Sequence, residues 1–379
     1  MGVLRLINVA CALVALLPVL RLSHLIDSTC CNVVSIDFSK AMVFINSGLA
    51  GDYAPLLLAP SMSGHPQLVP LWIQFFFARV FELNAFSEYS CFTVMLCAAV
   101  LLIFDCLRTD EHKWSWVLLP IISFFQFSLC LSSAFFYCYS FMLDAVSRLS
   151  LALGLWSAYR VKSGWLAGIL LFLAGFVCSS CMAIFVIAYY LAVGLVIAAL
   201  RRFEKPLLIS YFLGAGVSAL PVILVQAQGT FRADPGAAGT SSFLKFFATV
   251  GMAFLNDTAS SVNVNFYSIS LGVVGLCFLL GLSAYQFKIS NIAKNVYCCW
   301  AIALFGLFNI CCTSIGRVYI SPWYCTFSIF VWTSICALAL HSYFLRSGRY
   351  KFVAAVFAAA VLLFCLVFYV QTNRSYADK

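Results

Sequence analysis

The sequence predicts an all-α polytopic membrane protein, and three observations carry that prediction. Of 379 residues, 64% are hydrophobic and only 9% charged, with a mean hydropathy of +1.02. A soluble domain carries roughly a quarter charged residues, so this chain cannot cover itself with a polar surface. Runs of about twenty apolar residues recur along nearly the whole length, each long enough to cross a bilayer as a helix. The basic residues behind the net charge of +9 sit in short runs between those stretches. There they orient helices in a membrane and do not build a face for nucleic acid.

A window of about nineteen residues gives about eleven spans. They lie at 6–22, 88–107, 116–133, 141–158, 165–180, 183–200, 206–226, 265–285, 296–313, 323–342 and 352–371. Arg5 ahead of the first run suggests a secretory leader, but no small-residue cleavage site follows, and Pro18 and Arg21 fit a retained helix. The segment 66–82, PQLVPLWIQFFFARVFE, is short, Trp-bearing and closed by Arg79 and Glu82. It reads as a helix lying in the interface.

Charge checks that choice. With 66–82 interfacial and the N-terminus cytoplasmic, one side receives Arg108/Lys113, Arg160/Lys162, Arg201/Arg202/Lys205, Lys288/Lys294 and Arg346/Arg349/Lys351. Counting 66–82 as a span would move every one of those clusters outside, against the positive-inside rule. The expected organisation is therefore a single transmembrane domain, 1–379. Residues 23–87 form a first external loop with two interfacial helices, and 227–264 a second external loop. The C-terminal tail falls outside.

Eighteen cysteines do not make a disulfide framework, because most lie inside apolar runs, where Cys acts as a small hydrophobe. Cys178-Ser-Ser-Cys181 has redox spacing but interrupts a continuous apolar stretch, which points to a helix contact or a break between two spans. Cys30 or Cys31 could form an external disulfide. Asp144 and Arg148, four apart within 141–158, share a helix face and pair, either as a structural ion pair or as part of a polar path through the membrane.

The external stretch Ser23–Glu88 is the least apolar part of the chain and holds five of its thirteen acids: Asp27, Asp37, Asp52, Glu82 and Glu88. After Asp37, the residues Phe38, Met42 and Ile45 recur at helical spacing, then break at Ser47-Gly48. His65-Pro66 opens the second helix, with proline in its first turn. Between 227 and 264, the core Pro235-Gly-Ala-Ala-Gly239 is flexible, and SFLKFFATVGMAFL that follows reads as an amphipathic helix on the membrane.

Here the chain resembles the GT-C superfamily of multi-spanning glycosyltransferases, which includes protein O-mannosyltransferases and bacterial aminoarabinose transferases. Those enzymes carry an acid soon after span one, a pattern like a-x-x-m-x-x-sG, and then HPPL opening an interfacial helix. Asp37, Met42 to Gly48 and His65-Pro66-Gln67-Leu68 stand in that order. A second resemblance is to bacterial membrane proteins with NEHR at this place and GR…SRY near the end. Ser63-Gly-His-Pro66 and Gly316-Arg317…Ser321-Pro-Trp-Tyr324 would be the counterparts. The chain departs from the family at Phe38, where many members have a second acid, at Gln67 for Pro, and at Pro322-Trp323 for Ser-Arg.

The resemblance implies transfer of a sugar from a polyprenyl-phosphate carrier to a hydroxyl on a saccharide or lipid-linked acceptor, such as O-antigen. The site would lie at the outer face of a bacterial inner (plasma) membrane. Asp37 would be the general base. Arg317, in a short external loop, would meet the donor phosphate, with Lys40, His65 and Asp52 as further substrate-binding residues for phosphate or acceptor. Arg317 read from the residues alone is equally an arginine anchoring a helix end. No cofactor is implied, and no histidine or carboxylate cluster has metal-ligand spacing. Without a P-loop or G-x-G-x-x-G fingerprint to hold a nucleotide sugar, a lipid-linked donor is favoured. The alternatives are a lipid-linked saccharide polymerase and a transporter or flippase. A transporter would be expected to show matching halves and more intramembrane charge.

Overall fold

The computed structural model describes residues 2–29, 36–58, 68–82, 84–109, 113–127, 138–181, 183–227, 240–252, 266–288, 292–316 and 326–344. Among them every regular element is helical. In chain order these are α1 (Gly2–Thr29), α2 (Ile36–Leu49), α3 (Ala54–Leu58), α4 (Leu68–Phe81), α5 (Ala85–Leu107), a 3-10 turn (Lys113–Val117) and α6 (Leu118–Gln126). There follow α7 (Cys138–Tyr159), α8 (Gly164–Ser179), α9 (Ala183–Ala199), α10 (Lys205–Ala227), α11 (Thr240–Gly251), α12 (Phe266–Phe287), α13 (Lys294–Gly316) and α14 (Thr326–Phe344).

Among the described residues, six helices are long and apolar enough to cross a membrane: Arg5–His24, Ala85–Leu107, Phe141–Tyr159, Lys205–Ile223, Phe266–Phe287 and Lys294–Gly316. That is fewer than the eleven spans expected. The apolar stretches Gly164–Ser179, Ile184–Ala199 and Thr326–Ser342 are shorter. At ~1.5 Å per residue, a 16-residue helix such as α8 reaches only ~24 Å of a ~30 Å hydrocarbon layer. Local chemistry sets the length of α8. The Ser163 hydroxyl accepts from Leu166 N–H at its start, and a turn at Ser180–Cys181 ends it. In 116–133, helix α6 stops at Gln126, and 352–371 lies outside the described residues.

The outward faces of these helices would be intolerable in water. Leu6, Leu13 and Leu20 on α1, Phe212 and Leu213 on α10, and Phe266, Tyr267 and Leu280 on α12 are each more than half exposed. Contiguous apolar surface of this kind is lipid-facing. In lipid, burying more hydrocarbon gives little driving force, so close packing and buried polar contacts have to specify which helices meet.

The chain forms two compact units. One comprises Met1–Leu20, Ile103–Ser133 and Asp234–Lys379. Here the Ser123 hydroxyl on α6 donates to the Ala15 carbonyl on α1 at 2.6 Å. Asn295 on α13 donates to the Leu107 carbonyl at 3.0 Å and meets His341 Nε2 on α14 at 2.9 Å. The expected amphipathic helix of the second external loop is α11, and it is packed into the unit. A Cβ on Gly272 of α12 would strike the Phe247 backbone of α11, so the two helices touch main chain to main chain. The Trp332 indole on α14 donates to the Val250 carbonyl at 2.9 Å, which pins the end of α11.

The other unit comprises Arg21–Leu102 and Ala134–Ala233. Helices α7 to α10 pack through tyrosines seated over glycines. A side chain on Gly154 would strike Tyr189, and one on Gly175 would strike Tyr190. The phenols find partners: Tyr189 donates to the Leu171 carbonyl at 3.1 Å and Tyr211 to the Tyr190 carbonyl at 2.7 Å, while Tyr190 and Ser218 share a bond of 3.2 Å. Glycine lets the ring approach and the hydroxyl bond fixes its direction, so helix register is specified by both.

Candidate functional site

The site begins with residues 36–58 and 68–82 of the first loop, which lie in this second unit and are folded. Helix α2 ends in a Schellman motif: Asp52 N–H donates to the Ser47 carbonyl at 2.9 Å and Gly51 N–H to the Gly48 carbonyl at 3.0 Å. Gly51 takes φ 95°, a left-handed conformation that a Cβ would strain. The exposed Asp52 carboxylate then accepts from Ala54 N–H at 3.1 Å and opens the short α3, a third helix in a loop where two were expected. Asp52 thus has a local turn role.

Helix α4 is a plate between two partners. On one side Trp72 stacks on Tyr53 (centroids 6.4 Å apart), Phe75 meets Tyr53 edge-on at 5.9 Å, and Phe75 would lie 3.1 Å from a Cβ on Gly48. That side holds α2 and α3. The other side buries Pro70, Leu71, Gln74 and Phe77. The Gln74 amide Nε2 donates to Glu88 Oε2 on α5 at 3.1 Å and lies 3.5 Å from the Met142 sulfur on α7. Around this contact Phe77 packs on Phe92, and Phe141 packs on both Phe92 and Tyr89. Phe76, Val80 and Phe81 stay exposed and apolar.

Two residues beyond Met142 lies a buried ion pair. Arg148 Nε donates to Asp144 Oδ1 at 2.9 Å, and Arg148 Nη2 reaches Asp144 Oδ2 at 2.6 Å. Both side chains are buried. This is the i, i+4 pair expected from the sequence, with fork geometry that directs both carboxylate oxygens to the guanidinium. Beside it, Cys178 Sγ lies 4.0 Å from the Ser147 carbonyl, so the turn between α8 and α9 meets α7 one residue from Arg148. That turn is itself buried. Ser179 donates to the Gly175 carbonyl, Ser180 to Phe176 and Cys181 to Val177, so its polar groups are satisfied on its own helix. Cys178-Ser-Ser-Cys181 is therefore a break between two helices, and both thiols are free.

The residues expected to carry chemistry are placed as follows. Asp37 is the second residue of α2 and Lys40 is one turn along it; their side chains lie outside the described residues, as do His65 and Arg317. Among the described residues no group of three His, Cys, Asp or Glu could hold a metal. Glu88, one of the five acids of the external stretch, is 3% exposed and bonded to Gln74. The available signal was its place in the first turn of an apolar helix, where a carboxylate also meets the helix dipole. Arg202 was read only as a topology marker. It donates to the carbonyls of Ser157, Ala158 and Val161 at 3.3, 3.0 and 2.7 Å, capping the end of α7, with Glu204 orienting its Nε at 3.1 Å.

No protein-family model, curated protein or solved structure matches the chain.

Proposed function

We propose that the chain is a membrane glycosyltransferase that moves a sugar from a polyprenyl-phosphate carrier to a hydroxyl acceptor, a saccharide or lipid-linked one, at the non-cytoplasmic face. The observation that carries this reading is the folded first loop. Helix α2, with Asp37 in its first turn, is packed on α4, and α4 is tied by a buried hydrogen bond to α5. A loop that only solvates a helix connection has no need of that construction.

In the proposed step the acceptor oxygen forms a bond to the anomeric carbon while the bond from that carbon to the phosphate oxygen breaks. The acceptor proton passes to the Asp37 carboxylate, and the bonding electron pair leaves with the polyprenyl phosphate. Lys40 and His65 would offset the charge that develops on the phosphate. Transport of the intact lipid-linked sugar is the competing reading. It would draw on the buried Asp144–Arg148 pair, but that pair is already internally neutralised.

The test is transfer of a labelled sugar by purified protein in liposomes. Asp37→Asn keeps size and loses proton acceptance, so a rate loss of about a hundredfold or more is expected with donor binding little changed. Asp52→Asn should cost far less, given its turn role. Normal transfer by Asp37→Asn would remove the reading's chemical centre.

A further inference from the structure

Gln74 stands out among the buried polar residues of the second unit. It is fully buried on a short helix whose other buried residues are Pro70, Leu71 and Phe77, a stripe that leucine would complete at no polar cost. An amide at such a place is a penalty unless it is bonded. It is bonded where α4 meets α5 and α7 in one register, through Nε2 to Glu88 Oε2 at 3.1 Å and to the Met142 sulfur at 3.5 Å. Apolar contacts between α4 and its neighbours survive a slide of one turn, whereas this bond does not. The next residue, Phe75, faces the opposite partner and meets Tyr53 and the close-packed Gly48 of α2. Position is thus passed from α5 and α7 through Gln74 and Phe75 to α2.

We infer that Gln74 is a positioning residue: its bond to Glu88 fixes α4 against α5 and α7 and so holds α2, with Asp37 in its first turn, in place. The catalytic part of this inference rests on the transferase reading above; the mechanical part does not. The bond also has a feature that makes it testable. Gln74 Oε1 is buried without a hydrogen-bond partner. Glu88→Gln retains an acceptor for Gln74 Nε2 and adds a donor that could satisfy Oε1. Glu88→Asp keeps the charge but shortens the reach by one methylene.

The experiment is amide hydrogen exchange on the full-length protein in detergent, followed over residues 36–58, together with transfer kinetics. Gln74→Leu and Glu88→Asp should each raise exchange in 36–58 by about tenfold or more while protection in α7 and α8 is kept. Glu88→Gln should stay at or below the wild-type exchange rate. In the transfer assay the two loosening variants should lose about tenfold or more in kcat with KM for the donor little changed. Should Gln74→Leu fail to fold, Gln74→Met, which keeps the side-chain length and loses the amide, decides the question in its place. Unchanged exchange in Gln74→Leu and Glu88→Asp, or an equal rise in Glu88→Gln, would overturn the latch. Faster exchange with undiminished kcat would overturn its positioning role. A wild-type protein that transfers no sugar would instead sink the transferase reading, and the exchange result would still decide the latch.

Discussion

Removing Arg148 should cost more than any other single truncation in α7, and removing its partner as well should restore much of the loss. The guanidinium is fully buried and paired through two contacts of 2.6 and 2.9 Å to an Asp144 carboxylate that is itself 6% exposed. Arg148→Met keeps the stem volume but leaves a buried carboxylate without its cation. Breaking one side of such a pair costs about 3–5 kcal/mol, whereas replacing both sides with apolar groups of similar volume is often neutral or stabilising by about 1–4 kcal/mol. Asp144→Leu combined with Arg148→Met should therefore stand well above either single variant. The assay is thermal inactivation of purified protein in mild detergent, followed by loss of the monodisperse peak on size exclusion. Single variants near wild-type stability would show that the pair is hydrated. A double variant as unstable as the worse single would show that relieving the unpaired charge does not restore the packing of α7.

Three further outcomes follow from local geometry. Arg201 ends α9 at φ 53°, in the position of a Schellman motif that normally takes glycine, with Arg202 N–H on the Ile197 carbonyl at 2.9 Å. Arg201→Gly should thus raise stability by about 1 kcal/mol, measured by the same thermal assay. Arg202→Ala removes three bonds to the end of α7 and should cost about 1–3 kcal/mol, with Arg202→Lys recovering only part because it lacks the fork. Gly175→Val forces a side chain onto Tyr190 and should cost about 1–3 kcal/mol, while Gly216→Ala, with nothing within 4 Å, should be neutral or slightly stabilising.

The membrane class was legible because composition leaves no other solvent for the chain, and the Asp144–Arg148 pair was legible because i, i+4 spacing on one helix is a local fact. The ends of α8 and α9 were legible too, within a residue of the expected 165–180 and 183–200, but not that the two helices fall short of full spans. Hydropathy runs on through Ser179, Ser180 and Cys181, because hydroxyls that bond back to their own helix cost an apolar stretch little. The Gln74–Glu88 contact joins residues fourteen apart on two helices and has no periodic signature. Nor could basic residues that orient the chain be told from Arg202, whose capping of α7 depends on where the chain returns from α9. Of the expected site residues, Asp37 was legible as the start of a helix because Phe38, Met42 and Ile45 keep helical spacing, and α2 begins at Ile36. Docking of that helix depends on Gly48, Phe75 and Tyr53, which look like ordinary loop residues until they meet.

The most direct measurement is the fate of a polyprenyl-phosphate hexose labelled in both sugar and lipid, given to wild-type protein in liposomes with a saccharide acceptor. The expected result is equimolar appearance of glycosylated acceptor and sugar-free polyprenyl phosphate, lost in Asp37→Asn. Movement of the doubly labelled donor to the opposite leaflet with both labels still joined, undiminished in Asp37→Asn, would contradict it.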